Sequence, residues 1–108
     1  MIRVKIRRNE QKIITAFEIS GHAESGPKGH DLVCAAVSAI SFGTINAVLS
    51  LCEIDPEIQQ GGEGGYLRIE LPSTMELWQK EKASTILDAM VISLETIERD
   101  YGQYISIS

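Results

Sequence analysis

The segment 21–38, GHAESGPKGHDLVCAAVS, holds most of the residues in this chain that can do chemistry. Both histidines of the chain, His22 and His30, and one of its two cysteines, Cys34, lie within it. Its first half, rich in glycine, is typical of a loop, and its small and apolar second half indicates the start of a helix. A histidine on a loop and a cysteine in the first turn of a helix can together do nucleophilic thiol chemistry.

The thiol of Cys34 is predicted to lie at the positive end of a helix. Asp31 occupies the expected N-cap position, which makes Cys34 the third helical residue. The unpaired amides and the dipole at this end stabilise an anion such as a thiolate. Either these amides or those of the loop could also form an oxyanion hole. Asp31 therefore has two alternative roles: it caps the helix, or it orients a catalytic histidine as the third member of a triad.

Two histidines compete for the role of general base. His22 follows Gly21 at the end of a predicted strand, and a rigid strand end can aim a side chain. His30 stands next to the helix cap and is flanked by Gly29, so its position is predicted to be less fixed. Placement therefore favours His22. Ser38 lies one turn after Cys34 on the same helix face, where it either packs or supplies a supporting hydrogen bond.

A zinc site made of His22, His30, Cys34 and Cys52 is an alternative that the residues themselves raise. Cys52 lies 18 residues after Cys34 on the same predicted helix, which corresponds to about 27 Å at the rise of an α-helix. Cys52 therefore cannot share a metal or a disulfide with Cys34. The spacing of the remaining three residues fits no familiar zinc pattern. We expect no metal and no cofactor, and we interpret Cys52 as a buried, inert thiol.

Charge and composition narrow the class of protein. A chain of 108 residues has room for one core, and its net charge of −5 argues against nucleic acid as a direct ligand. Its first residues, MIRVKIRR, alternate in polarity instead of forming the apolar run of a signal peptide. No run approaches the roughly 18 apolar residues of a membrane helix. Two cysteines without a secretory signal favour free thiols in the cytoplasm.

Hydrophobic patterning predicts seven elements around the segment. They are strands 2–7 and 12–19 as a hairpin, a helix 31–52, strands 57–60 and 66–71, a helix 75–101 behind a Ser73–Glu76 capping box, and a strand 104–107. Alternation in the second strand places Ile13 on the same face as Phe17. Two apolar stripes on the uncharged first helix predict burial on most of its sides. The order ββαββαβ predicts an α+β, two-layer domain over 1–108, with a mainly antiparallel sheet and two helices on one face.

The whole chain resembles the ribosomal-processing cysteine protease family, also called Prp. The resemblance rests on the following residues: Gly21-His22-Ala23, Gly26, Gly29-His30-Asp31-Leu32-Val33-Cys34-Ala35-Ala36, Ser38, Phe42-Gly43, Asn46-Ala47, the Gly64-Gly65 turn and Ser93-Leu94-Glu95-Thr96-Ile97. It implies a small α+β domain that forms a homodimer. It also implies cleavage of a short N-terminal extension from large-subunit ribosomal protein number twenty-seven, after paired aromatic residues and before a small one.

The resemblance also implies a role for individual residues. It makes Cys34 the nucleophile and His22 the general base, and it matches Asp31 to a nearby acidic position. Gly21, Gly29 and Ser38 are expected to lie where the substrate binds. The expected partner is the N-terminal peptide of a ribosomal protein precursor, without direct contact to nucleic acid or membrane. The alternative from another class is a non-catalytic, ribosome-associated module that only grips a peptide.

Overall fold

The computed structural model describes residues 1–22, 31–61 and 65–108, which form one sheet and two helices. The strands are β1 (Ile2–Arg8), β2 (Ile14–Ser20), β3 (Glu57–Gln60), β4 (Tyr66–Glu70) and β5 (Ile105–Ile107), and the helices are α1 (Leu32–Cys52) and α2 (Leu77–Tyr101). The element order ββαββαβ confirms the prediction from hydrophobic patterning, and the element bounds agree to within two residues.

The five strands lie in the order β3-β4-β2-β1-β5. All neighbouring strands are antiparallel except β5, which runs parallel to β1. The mainly antiparallel sheet predicted from the sequence is therefore confirmed. The parallel pair at one edge arises because α2 returns the chain across the sheet before β5 begins, as parallel neighbours require a long crossover.

A β-bulge in the β1–β2 hairpin changes which residues of β2 face the core. Arg7 pairs with Ala16 but Arg8 pairs with Ile14, so Thr15 is an extra residue on β2. An extra residue shifts the alternation of side chains by one position. As a result, Ile14 is buried at 1% exposure and Ile13 is 37% exposed. The prediction that Ile13 shares a face with Phe17 was therefore wrong.

Both helices pack on one face of the sheet, and the core lies between these two layers. The core is formed by apolar residues of all layers, among them Ile2, Val4, Ile14, Phe17, Val33, Val37, Val48, Ile69, Leu87, Met90, Leu94 and Ile105. Gln79 joins the end of α1 to the start of α2, since its Nε2 donates to the carbonyl oxygen of Cys52 over 3.0 Å. This hydrogen bond holds the end of α1 against the first turn of α2.

One face of α1 remains uncovered by the described residues. Phe42 and Leu49, two turns apart on this face, are 43% and 39% exposed. Leu51, on another side of the helix, is 52% exposed, so the prediction of burial on most sides was wrong. Periodicity shows that a stripe is apolar, but whether a neighbour covers it depends on the packing of other elements. The expectation that no segment approaches the apolar length of a membrane helix was also wrong, because α1 is long and apolar enough to cross a membrane by length and composition alone. The core helix of a folded domain passes the same test.

The second helix begins later than its sequence signal suggested. The predicted capping box joined Ser73 to Glu76, but α2 begins at Leu77 with Glu76 as its N-cap. The side chain of Gln79 accepts a hydrogen bond from the backbone amide of Glu76 over 2.8 Å. The helix therefore uses the next available pair of residues at the same three-residue spacing.

Candidate active site

The start of α1 carries Cys34 on a well-formed cap. The Oδ1 atom of Asp31 accepts a hydrogen bond from the backbone amide of Cys34 over 2.9 Å. Asp31 has the extended backbone of an N-cap residue, with φ −79° and ψ 95°. The predicted cap and the placement of Cys34 in the first turn are thereby confirmed. The cap fixes the backbone of the cysteine, whose side chain is only partly buried.

The cap also engages two backbone amides that could otherwise donate to an oxyanion. The Cys34 amide donates to the Asp31 side chain, and the Ala35 amide donates to the Asp31 carbonyl oxygen over 3.1 Å. An N–H group engaged in a short, well-aligned hydrogen bond is not available to a substrate oxygen. Among the amides expected to form the oxyanion hole, these two are thus already engaged in the cap. The loop amides, the other expected source, lie outside the described residues.

Two glycines direct the chain from β2 into the site. The amide of Gly21 donates to the carbonyl oxygen of Gly65 over 2.8 Å, which extends the pairing of β2 and β4 by one residue. Gly21 has φ +91°, and a Cβ there would collide with the carbonyl oxygen of Met1. Only glycine tolerates both the positive φ and the lack of room for a Cβ atom. The chain can therefore bend at the strand end and place His22 beyond it.

The side chain of His22 lies against the backbone of Gly65. A Cβ atom built on Gly65 would stand 2.7 Å from Nε2 and 3.1 Å from Cε1 of the imidazole. Gly65 has φ +78°, which also favours glycine. The bend after β2 and the glycine before β4 together form the wall on which the imidazole rests.

His22 and Cys34 line one cavity of about 250 Å³. The cavity lies between the end of β2, the start of β4 and the first turns of α1. Its other lining residues are Ile2, Ile19, Gly21, Val37, Ser38, Ser41, Phe42, Gln60, Gly61, Gly65, Tyr66 and Leu67. Two of the three predicted substrate-binding residues, Gly21 and Ser38, are among them. The third, Gly29, and the competing His30 lie outside the described residues.

Sequence reasoning missed the wall that β3 and β4 contribute to this cavity. Gln60, Gly61 and Tyr66 reach the site because β4 pairs with β2 and β3 pairs with β4. These pairings join segments far apart in the chain, which alternation within one strand cannot predict. The Gly64-Gly65 turn in the family resemblance was the available signal.

The second cysteine is remote from this chemistry. Cys52 has no exposed surface and does not line the cavity. Burial raises the pKa of its thiol above the ordinary value, and the nearby Lys82 partly opposes this shift. Its interpretation as a buried thiol is confirmed. In the part of the chain that the structure describes, no three His, Cys, Asp or Glu residues are placed to hold a metal ion.

The chain is similar to known proteins over nearly its whole length. Residues 1–106 match the model of the family described as cysteine protease Prp. The ribosomal processing cysteine protease Prp of Bacillus subtilis (strain 168) is 42% identical over 108 residues, which cover 100% of this chain and 96% of that protein. The Staphylococcus aureus protein of the same name (strain Mu50) is 37% identical, with coverage of 100% and 98%.

Two crystal structures of the essential ribosomal processing protease Prp from S. aureus are also similar. One, in complex with a covalently linked product peptide, has a TM-score of 0.92 at 37% identity, and covers 100% of this chain and 98% of that one. The other, in complex with a substrate peptide, has a TM-score of 0.85 at 36% identity with the same coverage.

Proposed function

The chain belongs to the cysteine protease Prp family and is a cysteine protease, and from this premise we propose that it removes the N-terminal extension of ribosomal protein number twenty-seven of the large subunit. Its relatives carry the name of ribosomal processing proteases. The alternative from the residues, a module that binds a peptide without cutting it, does not fit a family of proteases.

The proposed nucleophile is the Sγ atom of Cys34, and the proposed general base is the imidazole of His22. The imidazole takes the thiol proton as sulfur attacks the scissile carbonyl, then gives it to the leaving amine. The resulting thioacyl-enzyme is hydrolysed by water, which the same imidazole activates. The proposed steps need only these two side chains, water and the peptide.

One observation carries this proposal: His22 and Cys34 line the same small cavity although they come from different elements. Cys34 stands in the first turn of α1, and its side chain is only partly buried. The covalently linked product peptide in the S. aureus protease is of the kind expected from a nucleophilic thiol. Asp31 supports the reaction through the helix cap, which fixes the backbone that carries the thiol.

The lining of the cavity supports a substrate with an aromatic side chain next to the scissile bond. Ile2, Ile19, Val37, Phe42 and Leu67 give it an apolar wall. Its volume of about 250 Å³ lies below the range of about 300–1,000 Å³ for pockets that enclose a whole small molecule. It therefore suits one or two side chains of a peptide that continues outside.

Other parts of the proposal concern where and with what the enzyme acts. Gly21, Gly29 and Ser38 are proposed to contact the peptide around the cavity. The net charge of −5 complements a basic ribosomal protein better than a nucleic acid. We place the enzyme in the cytoplasm, where ribosomal proteins are made and thiols stay reduced. From the family resemblance we also propose a homodimer, which sedimentation equilibrium tests directly.

The central experiment mixes the protein with a synthetic peptide that contains the paired aromatic residues and the small residue after them. Mass spectrometry under reducing conditions at neutral pH should detect two fragments. The matched variant Cys34→Ala should bind the peptide but leave it intact, because alanine keeps the helix and removes only the sulfur. A Cys34→Ala variant that cuts at a comparable rate would show that the nucleophile is another group. Activity that persists with a chelator excludes a zinc enzyme.

A further inference from the structure

One edge of the sheet leads directly into the active-site cavity. β3 is the outermost strand on that side, and all four of its residues are exposed. Gln60 and the next residue, Gly61, line the cavity that holds His22 and Cys34. No described residue pairs with the outer side of β3. A strand edge with unpaired backbone groups is a template for another extended chain.

The hydrogen-bond pattern identifies which backbone groups of β3 point outward. The Gly61 amide donates to the carbonyl oxygen of Tyr66 over 3.0 Å, and the register pairs Gln59 with Arg68 and Glu57 with Glu70. Successive residues of an antiparallel strand alternate between bonding to one neighbour and pointing away from it. The amides and carbonyls of Ile58 and Gln60 therefore point away from β4, toward the open edge.

The composition of this edge does not discourage pairing. Protein edges are usually protected by lysine, proline, bulges or inward-pointing charge. Residues 58–60 carry no charge and no proline, and the Ile58 side chain is 38% exposed. The opposite edge, β5, has only three residues. The longer edge is thus the one that ends at the catalytic cavity.

The other end of β3 opens into a larger and acidic groove. A cavity of about 780 Å³ is lined by Asp55, Glu57 and Glu70, with Lys80 as its one basic residue among those described. Glu70 is paired with Arg68 at 2.8 Å, whereas Asp55 and Glu57 form no ion pair with any described residue. The distance from Gly61 to Glu57 is four strand residues, or about 14 Å. A lysine or arginine on a chain lying along β3 would reach this acidic end.

We propose that the open edge of β3 is the docking strand of the protease: the substrate pairs in extended form with the backbone of Ile58 and Gln60. One end of the docked segment enters the catalytic cavity beside Gly61, and a basic side chain about four residues away lies at Asp55 and Glu57. The proposed occupant is a basic peptide segment, because the edge is continuous with the catalytic cavity and its far end is acidic. This assignment rests on the proposed proteolytic function.

The experiment uses peptides in which one backbone amide at a time is N-methylated, so the protein itself is unchanged. On one side of the scissile bond, N-methylation of every second residue should raise the KM by roughly three- to tenfold, the effect of losing one hydrogen bond to β3. N-methylation of the residues between them should leave the KM unchanged. A uniform effect, or none, at positions along the docked segment would overturn the proposal. The unmodified peptide shows separately whether cleavage occurs, and the Cys34→Ala variant reports binding of each peptide even without cleavage.

Two pairs of protein variants test the same edge. Ile58→Pro removes an outward amide without breaking a hydrogen bond to β4, whereas Ile58→Ala keeps that amide. The proline variant should therefore raise the KM more than the alanine variant, at a similar melting temperature.

Glu57→Gln should weaken binding of a peptide with lysine at the distal position but not of its norleucine analogue. Glu95→Gln, the same charge change on exposed α2 surface, should affect neither. If Ile58→Pro changes the oligomeric state and leaves peptide KM unchanged, the edge joins two copies of the chain and the proposal fails.

Discussion

The imidazole of His22 rests on Gly65, at a position where any side chain would displace it. A Cβ atom at Gly65 would stand 2.7 Å from Nε2, well inside van der Waals contact. The hydrogen bond from the Gly21 amide to the Gly65 carbonyl fixes this arrangement over 2.8 Å. Gly65 therefore determines where the proposed base can stand, although it has no chemistry of its own.

Gly65→Ala is expected to lower kcat more than it lowers stability. The methyl group would push the imidazole away from its present position, and a displacement of about 1 Å can reduce catalysis by roughly a hundredfold. The positive φ adds a stability loss on the order of 1 kcal/mol. Steady-state cleavage and thermal unfolding measure the two effects separately.

Gly43→Ala is the matched control for this substitution. Gly43 lies within α1, and no atom stands within 4 Å of a Cβ built there. Alanine should stabilise the helix by about 0.5–1 kcal/mol and leave kcat unchanged. If Gly65→Ala keeps the kcat of the wild type, contact with Gly65 does not position the base.

Local features of the site were predictable from the sequence, and non-local ones were not. The cap at Asp31 and the strand end before His22 depend on residues close in the chain. The contact between His22 and Gly65 depends on the pairing of β2 with β4, whose strands are separated by α1 and β3. Periodicity within one segment carries no information about that pairing.

The bulge at Thr15 and the uncovered side of α1 are further examples. Alternation placed Ile13 on the same face as Phe17 because it assumes an uninterrupted strand, and a bulge removes that assumption. The apolar stripe through Phe42 predicted burial because it assumes a covering neighbour. In both cases the pattern was correct at the level of the segment, and tertiary packing decided the outcome.

Alkylation should distinguish the two thiols of the folded protein. Cys34 is partly exposed at a helix N-terminus, whereas Cys52 has no exposed surface and burial raises the pKa of its thiol. Iodoacetamide reacts with the thiolate, so it should modify Cys34 first and abolish cleavage. Peptide mapping checks the site. Modification of Cys52 at an equal rate in the native protein would contradict the burial argument.

Substitution of Asp31 separates its two suggested roles. Asp31→Ala removes the acceptor for the Cys34 amide, and should cost about 1 kcal/mol of stability together with part of the activity. Asp31→Asn keeps an acceptor oxygen and should restore most of both, because the cap is the contact that positions Cys34. Unfolding by urea and steady-state kinetics are the measurements. An asparagine variant that regains stability but not kcat would instead assign the carboxylate charge to His22.

Cys52 should make stability fall at alkaline pH. Burial raises the pKa of its thiol in the folded state above the ordinary value of 9.0, while the unfolded thiol keeps that value. Above pH 9.0 the unfolded state therefore loses its thiol proton first, and stability declines as the pH rises toward the pKa of the thiol in the folded state.

Cys52→Ala removes this thiol, so the melting temperature of the variant should fall less between neutral and alkaline pH than that of the wild type. At neutral pH the variant should keep near-normal cleavage and lose on the order of 1 kcal/mol of stability from the missing sulfur. Parallel pH profiles for the two proteins would contradict a thiol held protonated by burial, and a loss of cleavage as deep as that of Cys34→Ala would give Cys52 a role in the reaction.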